Sequence, residues 1–227
     1  VGRLYEVLVC AGVPHGRIYR IPKFMADMLS KMRNYKLLVV GAGFGQLPAI
    51  KSAKSIGMFV VCADVNPDAP GMSLADDAHV IDVKDMKGLL KLAKNARVDG
   101  VMTMQSDLPM PSIGYINDTL GLRGVSYETA IRCSNKDQTR EALLNKAVSQ
   151  PEFRVVSDIG QCEEACRAIG LPVVVKAPDS SGSRGVTKVA QFQDVQSAFE
   201  HAAENSRSGQ IVVEQFIEGV EVGAQTF

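Results

Sequence analysis

The stretch VVVKAPDSSGSRGVTKV, residues 173–189, leads an apolar run through one lysine into a loop of small residues. The valines end at Lys176, the loop SSGSRG follows at 180–185, and apolar residues resume at Val186. Small residues let backbone N–H groups approach a bound anion closely, and a nearby lysine offsets the charge of that anion. The stretch is therefore typical of a phosphate site between two strands, although the same residues also suit an ordinary turn.

The residues on either side of this stretch predict an antiparallel sheet with helices on one side. Several apolar runs follow one another across loops too short for a crossover helix, which indicates antiparallel pairing. The predicted strands lie at 152–157, 171–177, 185–190 and 210–217, the helices at 134–147, 161–170 and 192–205, and an alternating segment at 221–227. Ser134 and Asp137 resemble a capping box at the start of the first of these helices.

Upstream, from Tyr35 to about Arg132, apolar strands alternate with amphipathic helices. The strands are predicted at 35–43, 58–67, 78–83 and 98–104, and the helices at 45–57, 85–96 and 108–121. This alternation predicts a parallel sheet covered on both faces. The predicted fold class is therefore α/β, with a doubly wound parallel sheet over residues 35–133 and a partial α+β unit with an antiparallel sheet over residues 134–227.

Residues 1–34 match neither unit and are predicted to form a helical extension. The segment IPKFMADMLSKMRN, residues 21–34, has Pro22 at a first turn and a Met-rich face at helical spacing. Such a face is most often a packing surface, and the alternatives for the segment are an appended helix, a contact with a partner subunit and the tail of an upstream domain.

The composition excludes several function classes. The chain has 227 residues with 25 Lys and Arg against 25 Asp and Glu, so no basic field favours nucleic acid or an anionic membrane. No apolar run approaches the ~20 residues of a membrane span. The five cysteines are scattered, which predicts free thiols in a reducing, cytoplasmic compartment. Neither these cysteines nor the three histidines have the spacing of a metal site.

The motif GAGFG, residues 41–45, follows the first strand of the upstream unit. A dinucleotide fingerprint needs a third glycine, where this sequence has Gln46, and an acid about 20 residues on, where Asp64 is available. The glycine needed for close packing of helix on strand is absent, which weakens that interpretation. Gly41 and Gly43 still permit a tight turn that holds an anion or a carboxylate at a helix N-terminus.

A second motif, IVVEQFIEGVE at 211–221, runs from an apolar strand into Glu214 and places Glu221 seven residues further on. An extended segment pairs with adenine through backbone groups while a carboxylate accepts from the base amino group. A second acid beyond Gly219 would accept from ribose hydroxyls. A hairpin with a solvated acidic turn is the alternative.

The order Lys136, Lys176 with its glycine-rich loop, Glu214 and Glu221, behind a doubly wound unit, resembles the ATP-grasp superfamily. The similarity runs from about Tyr35 to the last residue. It is closest to the carbamoyl phosphate synthetase-like and biotin carboxylase-like branch, in which a pre-ATP-grasp domain precedes the ATP-grasp domain. The resemblance implies a pre-ATP-grasp domain at 35–133 and the N-terminal part of an ATP-grasp domain at 134–227.

The resemblance also implies roles for individual residues. Lys136 and Lys176 would hold the ATP phosphates. The mobile lid would include Ser181, Gly182, Ser183 and Gly185, the adenine would be framed by Glu214, Gln215 and Ile217, and the ribose would be held by Glu221. In the upstream unit, Gly43 and the segment after the fourth strand, Gln105, Ser106 and Asp107, are candidates for substrate binding. Asp107 is equally suited to capping the next helix.

Members of the superfamily use ATP to convert a carboxylate into an acyl phosphate, which an amine or another nucleophile then attacks. Cations neutralise the transferring phosphoryl group. We therefore expect ATP and Mg²⁺ as cofactors, and a small carboxylate and an amine as substrates. The family's magnesium ligands lie well beyond the ribose acid. We therefore expect them downstream of residue 227 and none in this chain, which resembles the N-terminal portion of a family member.

An unpaired sheet edge at 222–227 would favour self-association, so a homo-oligomer is one expected state.

Two other functions are compatible with parts of the sequence. One is an NAD(P)-binding oxidoreductase domain that uses Gly41 and Gly43. The other is a non-catalytic assembly module that binds a partner through the Met-rich segment.

Overall fold

The computed structural model describes residues 5–9, 18–22, 27, 30–144, 146, 148–220 and 222–223. The chain divides into two compact units, Val1–Ala130 and Ile131–Phe227, and each has its own sheet. The first sheet is parallel and the second is antiparallel, so the predicted fold class is confirmed. No described helix is both long and apolar enough to span a bilayer.

The N-terminal segment contains a two-stranded antiparallel ribbon. Its strands are β1 (Tyr5–Val9) and β2 (Ile18–Pro22). The prediction of a helix from residue 21 is wrong at Ile21 and Pro22, because both residues pair with β1. Proline is tolerated at the end of a strand that has a free edge. Asp27 and residues 30–32 are helical, and the other predicted positions at 23–26 and 28–29 lie outside the described residues.

The first unit is built on a parallel four-stranded sheet of order β5-β4-β3-β6. Its strands are β3 (Lys36–Val40), β4 (Phe59–Asp64), β5 (Asp77–Val80) and β6 (Gly100–Met102), and its helices are α1 (Leu47–Ser55), α2 (Met86–Ala96) and α3 (Met110–Leu120), with a short 3₁₀ helix at Met72–Leu74.

Both faces of this sheet are buried, which explains why its strands are continuous apolar runs. Leu38 and Val40 of β3 pack with Leu89 of α2 on one face. Val39, between them in sequence, packs with Ile50 of α1 on the other face. Because β3 lies inside the sheet and is followed directly by the glycine turn, that turn is held at the carboxyl edge of the strands.

The second unit has an antiparallel four-stranded sheet of order β7-β10-β8-β9. From residue 127 onward the elements are α4 (Tyr127–Ser134), α5 (Lys136–Leu143), β7 (Phe153–Val156), α6 (Ile159–Ile169), β8 (Val173–Lys176), β9 (Val186–Val189), a 3₁₀ helix at Phe192–Asp194, α7 (Val195–Asn205) and β10 (Ile211–Gln215).

The two faces of this sheet have different chemistry. Val173, Val175 and Val213 are buried against α6 and α7, where Cys166 and Ala198 belong to the same core. Side chains alternate along a strand, so the residues between these valines point to the opposite face. That opposite face carries Lys176 and Glu214.

The start of α5 differs from the prediction. The N-cap of α5 is Asn135, and Ser134 is the last residue of α4. The predicted capping box of Ser134 and Asp137 is therefore wrong, because Ser134 is already part of a helical turn. The Asn135 side-chain amide donates instead to the Ile131 carbonyl oxygen at 2.8 Å.

Candidate functional site

Lys176 and Glu214 meet on the face of the second sheet that α6 and α7 leave uncovered. Lys176 lies opposite Val212 and Glu214 lies opposite Val174, so the two charged residues are diagonal neighbours on adjacent strands. The Lys176 ammonium donates to Glu214 Oε1. The two side chains are only 14% and 7% exposed, so this is a nearly buried ion pair.

Arg140 reaches the same carboxylate from α5. Its Nε and one terminal nitrogen are each 3.0 Å from Glu214 Oε2, and its side chain is 23% exposed. Each carboxylate oxygen of Glu214 therefore has its own cationic partner. A buried carboxylate without such partners would carry a large desolvation cost. Two cations around one buried acid leave an excess of positive charge at this point of the sheet.

Lys136 adds a third cation beside the start of the glycine-rich loop. It is the first residue of α5, and its backbone N–H donates to the Pro178 carbonyl oxygen at 3.0 Å. Its ammonium donates to the Ser180 carbonyl oxygen at 2.5 Å and lies 3.4 Å from that of Pro178. These carbonyls follow Lys176 by only two and four residues. Lys136 and Lys176 therefore lie at the two ends of one short segment.

Sequence reasoning missed Arg140, although a signal for it was present. Arg140 follows Lys136 by four residues, and residues four apart share one face of a helix. If Lys136 approaches phosphate from the start of a helix, Arg140 must face the same region.

The loop between β8 and β9 is closed at its base and exposed at its tip. Ala177 donates its backbone N–H to the Gly185 carbonyl oxygen at 3.0 Å. Gly182, Ser183 and Gly185 have positive φ angles of 66°, 58° and 65°, which suits the two glycines. Residues 181–184 are exposed. The predicted lid thus begins and ends on the sheet, while its tip is free to contact a ligand.

Asp179 fastens the start of this loop, and sequence reasoning missed it. Its carboxylate accepts from the backbone N–H groups of Arg207, at 3.1 Å, and Ser208, at 2.8 Å. The Arg207 guanidinium in turn donates to the Asp179 carbonyl oxygen. Asp179 is 9% exposed. Fixing this residue holds in place the Pro178 and Ser180 carbonyls that Lys136 contacts.

The predicted base-binding segment begins at Glu214, and the strand pairing of β10 ends one residue later at Gln215, which lies opposite Val173. The backbone N–H of Gln215 donates to the Glu152 carbonyl oxygen at 2.8 Å, and that of Phe216 donates to Pro172 at 3.2 Å. Ile217 is 63% exposed and available to a ligand. The predicted ribose residue, Glu221, lies outside the described residues.

The groups present fit an adenine nucleotide. Ammonium groups suit phosphate oxygens, and a carboxylate held in place by arginine suits a base amino group. The small residues of the loop add backbone donors that can approach phosphate closely.

The glycine turn of the first unit is organised differently from a dinucleotide site. Asp64 accepts from the backbone N–H of Ala42 at 2.7 Å with one oxygen and from that of Asn66 at 2.9 Å with the other. Gln46 is 7% exposed and donates its side-chain amide to the Met104 carbonyl oxygen. A Cβ atom added to Gly41 would lie 3.3 Å from the Gln46 Cδ. The Asp64 carboxylate, which would bind the ribose of a dinucleotide, is thus occupied by two backbone N–H groups. The Gln46 side chain fills the space beside Gly41 that the dinucleotide would need.

The candidate substrate residues of the first unit lie where β3 and β6 end. A Cβ atom on Gly45, two residues after Gly43, would be 3.3 Å from the Cβ of Gln105, so the two segments are close together. The N-cap of α3 is Pro109, with no side-chain cap bond, and Asp107 accepts from the Met110 N–H only through its backbone oxygen. The alternative that the Asp107 side chain caps this helix is therefore wrong. The binding role of Gly43, Gln105, Ser106 and Asp107 stays a prediction.

Among the described residues, no group of three or more His, Cys, Asp or Glu side chains is arranged to hold a metal ion. The expectation that magnesium ligands lie beyond residue 227 stays a prediction. A surface depression in the first unit lies at the edge strand β5 and is lined by Asp77, His79 and Lys91 among others.

The chain is similar to several known enzymes. A family model described as D-ala D-ala ligase C-terminus matches residues 143–226. The formate-dependent phosphoribosylglycinamide formyltransferase of Methanocella arvoryzae is 28% identical over 192 residues, which cover 81% of this chain and 43% of that enzyme. The chain therefore spans about half the length of the curated relatives it matches.

Solved structures of enzymes are also similar to this chain. Phosphoribosylglycinamide synthetase from Anaerococcus prevotii aligns with a TM-score of 0.60 and 28% identity, over 82% of this chain and 46% of that one. An L-amino acid ligase from Bacillus licheniformis aligns with a TM-score of 0.65 and 21% identity, over 82% of this chain and 45% of that one, and this likeness concerns the fold alone.

Proposed function

We propose that this chain, a homologue of the ATP-grasp ligases across about four fifths of its length, carries the nucleotide-binding part of an ATP-dependent carboxylate–amine ligase. In this proposal residues 35–133 are the pre-ATP-grasp domain, residues 134–227 belong to the ATP-grasp domain, and residues 1–34 are an extension. Free thiols favour a cytoplasmic enzyme.

The observation that carries the proposal is the convergence of three cations on one segment and one buried acid. Lys136 contacts the carbonyls that follow Lys176, while Lys176 and Arg140 share the carboxylate of Glu214. Three positive side chains thus lie around the Glu214 carboxylate and beside a loop of small residues, and the nearby Asp179 carboxylate is bound by the backbone N–H groups of Arg207 and Ser208. A triphosphate needs such a site, because its charge must be offset by fixed cations and close backbone donors.

Each residue then has a defined role toward ATP. Lys136 and Lys176 bind the phosphates, and Ser181, Gly182, Ser183 and Gly185 close over them. Glu214 accepts from the base amino group, Gln215 and Ile217 border the base, and Glu221 accepts from the ribose. Mg²⁺ accompanies the nucleotide, held by residues other than those described here.

The reaction in this proposal runs through an acyl phosphate. A carboxylate oxygen is a poor leaving group, and transfer of the γ-phosphoryl group to it creates a good one, which an amine displaces to form an amide and phosphate. Closing the loop keeps water from hydrolysing the acyl phosphate. The acid is proposed to bind near Gly43, Gln105, Ser106 and Asp107. A relative's name specifies formate and phosphoribosylglycinamide, so a small acid and a primary amine are the substrate classes we propose.

The first test is direct binding of ATP with Mg²⁺, measured by isothermal titration calorimetry. We expect Lys176→Met and Lys136→Met each to weaken ATP at least about tenfold, since each removes a charged contact to phosphate. Lys87→Met, an exposed lysine of α2, is the matched control and should leave the affinity unchanged. Equal ATP affinity in the wild type, Lys176→Met and Lys136→Met would exclude this site.

The second test concerns the chemistry. In the longer protein to which this segment corresponds, ATP, Mg²⁺, the correct acid and hydroxylamine should give a hydroxamate and phosphate. Lys176→Met should abolish both products. Phosphate release without hydroxamate, whichever small acid is supplied, would argue against an acyl phosphate.

A further inference from the structure

We propose that Arg140 is a positioning residue that gives the nucleotide site its preference for adenine. It does so by holding the Glu214 carboxylate in one orientation when Lys176 turns to the phosphates. This inference rests on the proposed function and assigns a role to a residue that does not itself contact the nucleotide.

The geometry separates the tasks of the two cations. Lys176 occupies Glu214 Oε1, and Arg140 occupies Oε2 through two nitrogens at 3.0 Å. Lys176 has a flexible stem and a single ammonium, whereas the planar guanidinium of Arg140 fixes the carboxylate in one orientation. Lys176 is thus suited to changing partners, and Arg140 is suited to staying in place.

The burial of Glu214 makes this division necessary. The Glu214 side chain is 7% exposed, so water cannot replace a lost cation. When the Lys176 ammonium moves to phosphate, Oε1 becomes free to accept from the base amino group. Arg140 then still contacts the other carboxylate oxygen and prevents the Glu214 side chain from following Lys176.

The effect of a fixed Glu214 carboxylate depends on which base the nucleotide carries. Adenine presents an amino donor at the position where hypoxanthine presents a carbonyl acceptor. A carboxylate held in one orientation accepts a hydrogen bond from the amino donor and repels the carbonyl acceptor. A cation that merely attracted triphosphate would favour ATP and inosine triphosphate equally. The ratio of the two affinities therefore distinguishes a positioning role from a general charge effect.

The experiment compares ATP and inosine triphosphate, each with Mg²⁺, by calorimetry on the full chain. We expect Arg140→Met to weaken ATP about tenfold and inosine triphosphate less than about twofold, so that the preference for ATP falls about fivefold or more. Arg140→Lys should recover part of that preference, because it restores the charge without the two-nitrogen contact. The matched control is Arg154→Met, an arginine of β7 with a side chain 54% exposed and paired to Glu152 at 3.2 Å, which should change neither affinity.

The outcomes separate the two proposals. If the wild type binds ATP but Arg140→Met and Arg140→Lys keep the wild-type ratio of affinities, the role of Arg140 is overturned and the proposed function stands. If the wild type binds neither nucleotide, the proposed function fails and this inference fails with it. If Arg140→Met does not fold, as judged by its thermal unfolding, the ratio in Arg140→Lys decides, and an unchanged ratio there overturns the inference.

Discussion

Glu214 connects two strands and one helix through a single side chain. Its oxygens pair separately with Lys176 and Arg140, and all three side chains are mostly buried. Removing the acid would leave two cations facing each other with little water nearby. Both the stability of the second unit and the shape of the site therefore depend on this residue.

We predict that Glu214→Gln lowers the free energy of unfolding by about 3 kcal/mol, because a neutral amide leaves two buried cations uncompensated. Urea denaturation monitored by circular dichroism measures this change. Glu152→Gln is the control, since the Glu152 side chain is 50% exposed and its pair with Arg154 should contribute no more than about 0.5 kcal/mol. Equal losses in the two variants would contradict the prediction.

In the first unit, Asp76 contacts the Lys54 ammonium at 2.5 Å with one oxygen and accepts from the Val60 N–H at 2.8 Å with the other. Burial acts to raise the pKa of Asp76, but the Lys54 and Val60 contacts outweigh it and hold this pKa below its ordinary value. The folded state therefore binds fewer protons than the unfolded state in acid. The stabilisation is fully present above about pH 4, the ordinary pKa of an aspartate, and is lost as the pH falls through the lower folded pKa.

We therefore predict that Asp76→Asn costs about 1 kcal/mol near neutral pH, a modest value because the side chains of Asp76 and Lys54 are 27% and 38% exposed and water screens them. The difference between wild type and variant should shrink as the pH drops below about 4. Urea unfolding at a series of pH values tests this, and a difference that grows toward acid would show the opposite sign.

At the scale of elements, the loop between β8 and β9 contains two glycines with nearly the same backbone angle and different surroundings. Gly182 and Gly185 have φ angles of 66° and 65°. A Cβ atom on Gly185 would lie 2.6 Å from the Cβ of Asn205, whereas one on Gly182 would meet open space. The base of the loop is thus tightly packed against α7, and its tip is not.

We predict that Gly182→Ala costs about 1 kcal/mol through backbone strain alone, and that Gly185→Ala costs about 3 kcal/mol because a collision adds to the same strain. Paired urea denaturation curves provide the comparison. Similar losses for the two variants would mean that α7 does not constrain the base of the loop.

The secondary-structure elements also show which parts of the fold could be predicted from the sequence alone. The apolar runs at 36–40, 59–64, 173–176 and 211–215 were predictable as strands, because burial on a sheet demands such runs. Ile21 and Pro22 were predicted as helix from local pattern, but pairing with β1 determines their conformation. Arg140 and Asp179 were missed because their partners lie 74 and 28 residues away in the sequence, and only the tertiary fold brings these groups together.

At the scale of the whole molecule, the resemblance to the ATP-grasp superfamily is confirmed by homologues that cover about four fifths of the chain. The order of the two units was predictable from the change in strand spacing between them. The roles of individual residues remain predictions, since they concern a ligand, and Glu221 lies outside the described residues. Geometry supports Lys136, Lys176 and Glu214 most strongly, because contacts connect all three to one segment.

The strand order of the second sheet has a consequence for synthesis of the protein on the ribosome. β10 is the last of the described strands to be translated, yet it lies inside the sheet and joins β7 to β8. While residues 211–215 are still inside the ribosome, β7 lacks the strand with which it pairs, and the sheet face that carries Lys176 and Glu214 cannot assemble, although the first unit has all four strands of its parallel sheet. Nascent chains stalled before residue 211 should therefore show protease resistance in the first unit only, and early resistance of both units would disprove this order of folding.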